Sequence, residues 1–388
     1  MTATRTIDEV CLQIVDCEHK TAPIDPNGEY FAVGTPAMRG NAINYAESRR
    51  ISKSTFDQWT RRMLPQTGDL LFAREAPVGP IVRIPETGNV APGQRTMLLR
   101  PDPALVNTHF LYYLLTSPLQ QERLLGMATG STVAHLNVAD VRAFQLPLLP
   151  SVDEQRAIAE VLGALDDKIA ANTKLVQVAD DLGASLTRNA LDPFESIALS
   201  TIADIVMGSS PLGTSFNEVG EGTVFYQGVR DFGFRFPSNR VWTTAAVRLA
   251  RSGDTLLSVR APVGRVNLAT EETCIGRGVA SVRSSSGRPF TLFHILKDSH
   301  EAWAPFEAEG TVFGSINKGQ LASLRVPRLK PEHEDQLEAM LAPMEGAIAS
   351  ALGENTNLAA TRDALLPQLI SGKLRVKDSE KVLEVAGV

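Results

Sequence analysis

The sequence predicts an α+β protein in which two modules of mixed α/β structure are separated by two long antiparallel helices, the whole related by a pseudo-twofold internal repeat. Three observations carry this. A twelve-residue segment recurs in the second half of the 388-residue chain, a loop segment recurs downstream of each copy, and behind each loop the apolar periodicity changes from strand-like to helical.

The first repeat is Gly68 to Gly79 (GDLLFAREAPVG), which returns as Gly253 to Gly264 (GDTLLSVRAPVG) with seven of twelve positions identical. Solenoid repeats have periods of roughly 20–50 residues; this recurrence is far longer, so whole domains are duplicated. Each copy reads as strand, turn and strand. Apolar β-formers precede Ala-Pro-Val-Gly, with Pro and Gly at turn positions, and Ile81-Val82 or Val266-Asn267-Leu268 follows. Arg74, Arg260 and Arg265 flank the turn, where side chains are expected to project. The second repeat pairs Gly130 to Asn137 (GSTVAHLN) with Gly310 to Asn317 (GTVFGSIN), and both run on to an apolar-Pro step at Leu146-Pro147 and Val326-Pro327.

The helices follow. Ile158, Leu162, Leu165, Ile169, Asn172, Val176 and Ala179 recur at spacings of four and three, as a coiled-coil seam requires. Leu337, Leu341, Met344, Ile348, Ala351, Asn355, Leu358, Arg362, Leu365 and Leu369 do the same. Ser151 with Glu154 offers a capping box at the first helix start. Asn172 and Asn355 interrupt the seam in the way that fixes register. The two helices are expected to pair antiparallel as a spacer, each about 40 residues and so roughly 60 Å long. Pro343 is expected to break the ladder of the second helix and Pro367 to end or bend it. The resulting division is a module over 1–150, helix and linker over 151–196, a module over 197–330, a helix over 331–372 and a tail over 373–388.

Net charge is −6, which looks wrong for a nucleic-acid binder until it is divided along the chain. Residues 1–150 balance, residues 197–330 carry +4, and residues 151–196 and 331–388 carry −5 each. Acidity sits in the helical segments and leaves the modules free to present basic faces. Arg39, Arg49, Arg50, Lys53, Arg61 and Arg62 are opposed locally only by Glu47 and Asp57. In the second module Arg230, Arg235, Arg240, Arg248, Arg251, Arg260 and Arg265 face only Asp231 and Asp254. Each cation alone fits a solvated surface as well as it fits a phosphate; the clusters, rich in forked Arg, favour DNA. Asn137 and Asn317 end matching loops and suit either adenine reading or backbone capping. Thr35, after Val33-Gly34, and Arg230, after Gln227-Gly228, are further candidate readers.

No phosphate-binding Gly-x-x-x-x-Gly-Lys-Ser/Thr loop occurs, no Asn-Pro-Pro-Phe type of methyltransferase site and no His-Glu-x-x-His pair; Asp192-Pro193-Phe194 lacks the second proline. Catalytic residues are therefore expected to be none. Cys11, Cys17 and His19 lack a fourth ligand at familiar spacing and read as packing residues, with no metal expected. No apolar run approaches the roughly 20 residues needed to span a bilayer, no signal-like segment opens the chain, and three cysteines suit a reduced compartment, so a cytoplasmic location is expected.

The paired Gly-Asp and Ala-Pro-Val-Gly motifs, the Gly-Ser/Thr loops, the segment LPLLPSVDEQRAIA over residues 146–159 and RDALLPQLISGKL over residues 362–374 together resemble the specificity subunits of type I restriction-modification systems. The resemblance covers almost the whole chain. It implies that the modules are target recognition domains, each reading half of a bipartite, asymmetric duplex target, with Thr35, Arg39, Arg49, Arg50, Lys53, Arg61, Arg62, Arg74, Asn137, Arg230, Arg235, Arg240, Arg260, Arg265 and Asn317 as DNA-binding candidates. It implies helix pairing through Ile158, Leu165, Ile169, Asn172, Leu341, Ile348, Asn355 and Leu358. It implies double-stranded DNA, two methyltransferase subunits and restriction/translocase subunits as partners, no membrane, and no cofactor on this chain; S-adenosylmethionine, ATP and Mg would belong to the partner subunits. The rival reading is a coiled-coil protein scaffold that never touches DNA.

Overall fold

Burial on both faces of the Gly-Asp strand organises each module. The computed structural model describes residues 4–129, 134–306 and 314–379, and divides into one unit of Met1–Ala170 with Asn355–Val388 and another of Ala171–Glu354. The first half of each downstream loop repeat, residues 130–133 and 310–313, lies outside the described residues.

The first unit contains β1 (Cys11–Asp16), β2 (Tyr30–Val33), β3 (Arg49–Ile51), α1 (Lys53–Trp59), β4 (Leu70–Arg74), β5 (Val78–Arg83), β6 (Val90–Pro92), β7 (Thr96–Pro101), α2 (Thr108–Thr116), α3 (Pro118–Met127) and α4 (Val138–Ala143), and receives the start of α5 (Val152–Ala190). Strands β1-β7-β4-β5 form one antiparallel sheet. The β4–β5 hairpin pairs Leu71 with Val82 and Phe72 with Ile81, as the repeat's turn chemistry requires. Side chains alternate across a strand, and here both faces are covered. Leu70 and Phe72 enter a core with Phe110, Leu114 and Leu162, whereas Leu71 and Ala73 enter a separate core with Val33, Met38 and Val90. That double coverage is why β4 reads as a continuous apolar run. The second core belongs to a smaller sheet, β3-β2-β6, in which β2 and β6 run parallel.

The second unit repeats the plan. It contains β8 (Leu191–Ala198), α6 (Leu199–Ile202), β9 (Ala203–Met207), β10 (Phe216–Asn217), β11 (Thr223–Tyr226), β12 (Trp242–Thr243), β13 (Leu249–Ala250), β14 (Thr255–Ser258), β15 (Val266–Leu268), β16 (Thr273–Ile275), β17 (Val279–Ser284), α7 (Pro289–Asp298), α8 (His300–Trp303), α9 (Lys318–Ser323), β18 (Arg325–Leu329) and the start of α10 (Glu334–Ile370). Sheet β9-β17-β14-β15 matches β1-β7-β4-β5 strand for strand, and β11 and β16 form the matching parallel pair. Leu257 and Ala280 face the helices while Leu256 and Val279 face the smaller sheet.

The Asp shared by the two repeats is a clamp. Asp69 accepts two bonds from Arg100, at 2.9 and 2.7 Å, and one from the Gln66 amide. Asp254 accepts two from Arg283, at 2.7 and 2.8 Å, and others from Ser281 Oγ and the Arg251 amide. Gly68 and Gly253 precede them at φ +89° and +85°, a left-handed turn that a side chain would strain. Each clamp ties the turn before the Gly-Asp strand to the neighbouring strand β7 or β17.

The seam positions are buried as the spacing predicts. In the first unit Ile158, Leu162 and Leu165 join Leu358, Leu365 and Leu369 in the main core, with Ile169 packed against it. In the second unit Val176 packs on Ile348 and Ala351, and Ala190 on Leu337 and Leu341. Both patches run antiparallel. Asn172 Nδ2 donates to Glu354 Oε2 at 2.7 Å, and Asn355 Nδ2 to the Ile169 carbonyl at 3.4 Å. Ser151 Oγ accepts the Glu154 amide at 3.3 Å at the start of α5. The expectation about Pro343 is corrected: α10 continues through it and through Pro367 to Ile370. Pro343 is exposed, and the apolar seam beside it holds the helix together although one backbone bond is lost.

Candidate nucleic-acid interface

Parallel neighbouring strands bring their following loops to one edge, and this places the candidate readers. In the first unit the loops after β2 and β6, Gly34–Met38 and Gly93–Arg95, meet the β4–β5 turn. The Gly93 amide donates to the Val33 carbonyl at 2.9 Å, Thr35 Oγ1 to the Ala76 carbonyl at 2.8 Å, and the Arg74 amide to the Arg95 carbonyl at 3.1 Å. Thr21, Thr35, Glu47, Arg49, Gln94 and Arg95 line a pocket there. Arg95 adopts φ +69°, an uncommon state for a residue with a side chain and one that collects at functional loops.

The second unit builds the same junction from the loops after β11 and β16. The Gly276 amide donates to the Tyr226 carbonyl at 2.9 Å, Gly278 to Gln227 at 3.1 Å, and Val259 to Gly278 at 3.0 Å. The ends of the downstream repeats arrive at the turns: Leu136 donates to Arg74 and Ile316 to Val259, with Glu75 bridged to His135 and Arg260 to Ser315. The loops approach so closely that a Cβ on Gly93 would lie 2.4 Å from the Gly34 nitrogen, and one on Gly278 2.5 Å from the Gln227 oxygen. Gly278→Ala is accordingly expected to displace the Gln227–Arg230 loop and weaken duplex binding roughly tenfold, checked by titration against a duplex; unchanged affinity would show that this junction is not where DNA binds.

The structure sorts the sequence candidates into three groups. Arg39, Arg49, Arg230, Arg260 and Arg265 are exposed and enter no ion pair among the described residues, so their charge is available to a phosphate. Arg50, Lys53, Arg61, Arg62 and Arg240 are already partnered at the surface. Arg50 donates to the Pro26 carbonyl and lies 5.8 Å from the Phe31 ring centroid. Lys53 pairs with Asp57, Arg61 with Glu18 at 2.8 Å, Arg62 with Glu18 at 3.9 Å, and Arg240 with Asp231 at 3.0 Å. The Lys53–Asp57 pair, exposed on both sides, is worth about 0–1 kcal/mol and exchanges readily for phosphate, whereas Glu18 and Asp231 are largely buried and hold their arginines more firmly.

The third group corrects the sequence reading. Thr35 is fully buried and spent on Ala76. Arg74 is mostly buried, 3.2 Å from Asp16 Oδ1. Arg235 is fully buried between Asp180 and Glu345. None presents its polar group at the surface, because in each case a nearby acid or carbonyl offers a partner that water and DNA would have to displace. Of the capping and reading alternatives at the loop ends, Asn317 Oδ1 accepts the Gln320 amide at 3.0 Å and Gln320 Oε1 accepts the Asn317 amide at 2.9 Å, while Asp140 accepts the Asn137 amide at 3.0 Å. Both asparagines start short helices.

Two groups missed by charge counting are Gln94-Arg95 and Arg277. Arg277 is exposed between two glycines of the β16–β17 loop, and Arg95 is half-exposed beside Glu75 at 3.2 Å. Their signal was positional: both follow the second parallel strand of the small sheet. Among the described residues no cluster of three potential metal ligands occurs, and no helix is long and apolar enough to cross a membrane.

Comparison with known proteins then gives a consistent picture. Residues 3–179 match a family model described as the type I restriction modification DNA specificity domain. A putative type I restriction enzyme MjaX specificity subunit of Methanocaldococcus jannaschii is 28% identical over 309 residues, covering 74% of this chain and 72% of that protein. The MjaIX specificity subunit of the same organism is 30% identical over 149 residues, 38% of this chain and 33% of its own length. The crystal structure of a type I restriction-modification system S subunit from M. genitalium shares the fold, with a TM-score of 0.61 at 17% identity over 95% of this chain and 96% of that one. With its duplicated clamps and seam-paired helices, the chain is similar to type I restriction-modification DNA specificity subunits, in the domain matched over residues 3–179 and in fold.

Proposed function

We propose that each unit reads one half of a bipartite, asymmetric duplex target through the loops that follow its two parallel strands, that the length of α5 and α10 sets the gap between the half-sites, and that the chain acts without catalysing chemistry itself. The observation that carries this is the repeated junction with different side chains: the loop after β6 presents Gln94 and Arg95 in one unit, whereas the loops after β11 and β16 present Gln227, Arg230 and Arg277 in the other. The scaffold around them is matched and the presented groups are not, so two unlike half-sites follow. Forked and amide side chains at such loops suit base edges, and the unpaired arginines suit phosphates. Two methyltransferase subunits and restriction/translocase subunits are the proposed partners, with S-adenosylmethionine, ATP and Mg on their side.

The test is an exchange. Replacing residues 197–330 by the corresponding module of another such subunit is expected to change base preference in one half-site only, read by sequencing duplexes selected from a randomised bipartite pool. Changed preference in both halves, or none in the parent chain, would refute the two-reader scheme.

A further inference from the structure

Buried charge concentrates at one place in the second unit. Arg235, wholly buried on the excursion between β11 and β12, has Nε 3.2 Å from Glu345 Oε2 of α10 and Nη2 against Asp180 of α5. Lys297 of α7 also pairs with Asp180, His294 Nε2 lies 2.8 Å from Glu345 Oε1, and the Phe293 ring lies 4.6 Å from the guanidinium. Taking ions out of water costs heavily, and an apolar set of equal volume often holds a core as well or better. Cohesion alone is therefore a poor reason for this network.

The matched position in the first unit is built differently. By seam register, Asp166 of α5 takes the place of Glu345 of α10, and Tyr113 of α2 that of His294 of α7. Tyr113 Oη donates to Asp166 Oδ2 at 2.7 Å, and the cation is Arg362 of the facing helix, 2.6 Å from Asp166 Oδ1. The residue of α5 that matches Arg362 is Gly183, where a Cβ would come within 2.7 Å of His294 Cε1. The helix leaves no room for a cation there. It comes instead from the module's own loop.

That loop is the one that carries a candidate reader. It opens at Val229–Asp231 with exposed Arg230 and closes where Arg240 pairs with Asp231 at 3.0 Å. Between them the Gly233 amide donates to Asn267 Oδ1 at 2.9 Å, Asn267 Nδ2 donates to the Gly233 carbonyl at 3.0 Å, and the Leu268 amide donates to the Arg235 carbonyl at 2.9 Å. We propose that Arg235 is a positioning residue for DNA reading by the second unit: it locks the excursion bearing Arg230 to Asp180 of α5 and Glu345 of α10, so that helix pair and reading loop hold one geometry. The planar guanidinium donates to Asp180 while its Nε lies at ion-pair distance from Glu345 without completing a hydrogen bond to it, a two-sided contact that an ammonium on a flexible stem does not reproduce. The proposal rests on the DNA-reading function argued above.

The full chain is compared with two variants on a randomised bipartite duplex pool, with bound molecules sequenced. Arg235→Lys keeps a positive charge at the site and loses the planar group that spans the two carboxylates. The triple variant Arg235→Met, Asp180→Asn, Glu345→Gln removes the buried guanidinium and both carboxylates together, leaving only Lys297, a third exposed, without its acid. Both are expected to lose about tenfold in discrimination at the half-site read by the second unit, the order of one mismatched base pair, with the other half-site unchanged. Wild-type discrimination at that half-site in folded Arg235→Lys overturns the proposal, whatever the triple variant does. Equal loss at both half-sites also overturns it, by making Arg235 a general stability element. A parent chain with no base preference at all would overturn the DNA-reading function itself, a distinct outcome.

Discussion

Replacing Arg230, Arg260 and Arg277 together by alanine is expected to weaken duplex binding by roughly two orders of magnitude near 0.1 M salt and to flatten the salt dependence by about 2.7 in log–log slope, since each phosphate contact releases about 0.9 of a counterion. All three side chains are exposed and enter no ion pair among the described residues, so their removal leaves no buried acid behind. The loss should be nearly uniform across sequences if all three meet phosphates. If Arg277 or Arg230 forks onto a guanine edge, the slope falls by less and preference at one position relaxes. Anisotropy titrations between 50 and 200 mM salt, on the scale over which such contacts change affinity strongly, separate these outcomes. An unchanged slope would remove this junction as the phosphate-binding face.

Asp254→Asn is expected to destabilise the second unit by about 2–3 kcal/mol, because it leaves the Arg283 fork without its counter-charge and turns one accepting oxygen into a donor facing donors. The estimate stays at the low end for a buried pair because Arg283 is 36% exposed and water can take over part of its charge. Burial alone would raise the Asp254 pKa, but the bonds from Arg283, the Arg251 amide and Ser281 outweigh it and hold the carboxyl below the usual carboxylate range. A depressed folded pKa means stability that is fully present above the unfolded value of about 4 and is lost as pH falls through the folded value. Urea melts of the parent chain should therefore weaken on the acid side of pH 4, and the Asn variant should be less stable at pH 7 with a flatter acid limb. Parallel acid limbs in the two proteins would show that Asp254 does not supply this stability.

Periodic features were legible in the sequence because periodicity is local. The seam residues Ile158, Leu165, Leu341, Ile348 and Leu358 are buried where their spacing puts them, and the hairpin register of β4–β5 follows from the turn residues. The clamp was not legible. Asp69 and Arg100, or Asp254 and Arg283, are partners across neighbouring strands, and nothing local marks the arginine. Charge counting failed for the same reason: it registers Arg235 and Arg260 alike, whereas one meets Asp180 and Glu345 from distant helices and the other meets solvent. Pro343 misled in the opposite direction, since helix-breaking is a local tendency that a long buried seam overrides.

Alternate residues of β4 and β14 feed two cores that do not share side chains, one under the helices and one under the small sheet. This has an evolutionary consequence. Within the second unit, a Cβ at Gly213, midway along the β9–β10 loop, would meet nothing within 4 Å, whereas one at Gly208, at the base of the same loop, would meet backbone at 2.2 Å. Substitutions at the tips can thus be close to neutral for folding while those at the loop bases are not. Under the proposed reading scheme, a lineage under pressure to change its recognition sequence lets the tips drift and keeps the remainder fixed, acquiring a new address without passing through an unfolded ancestor.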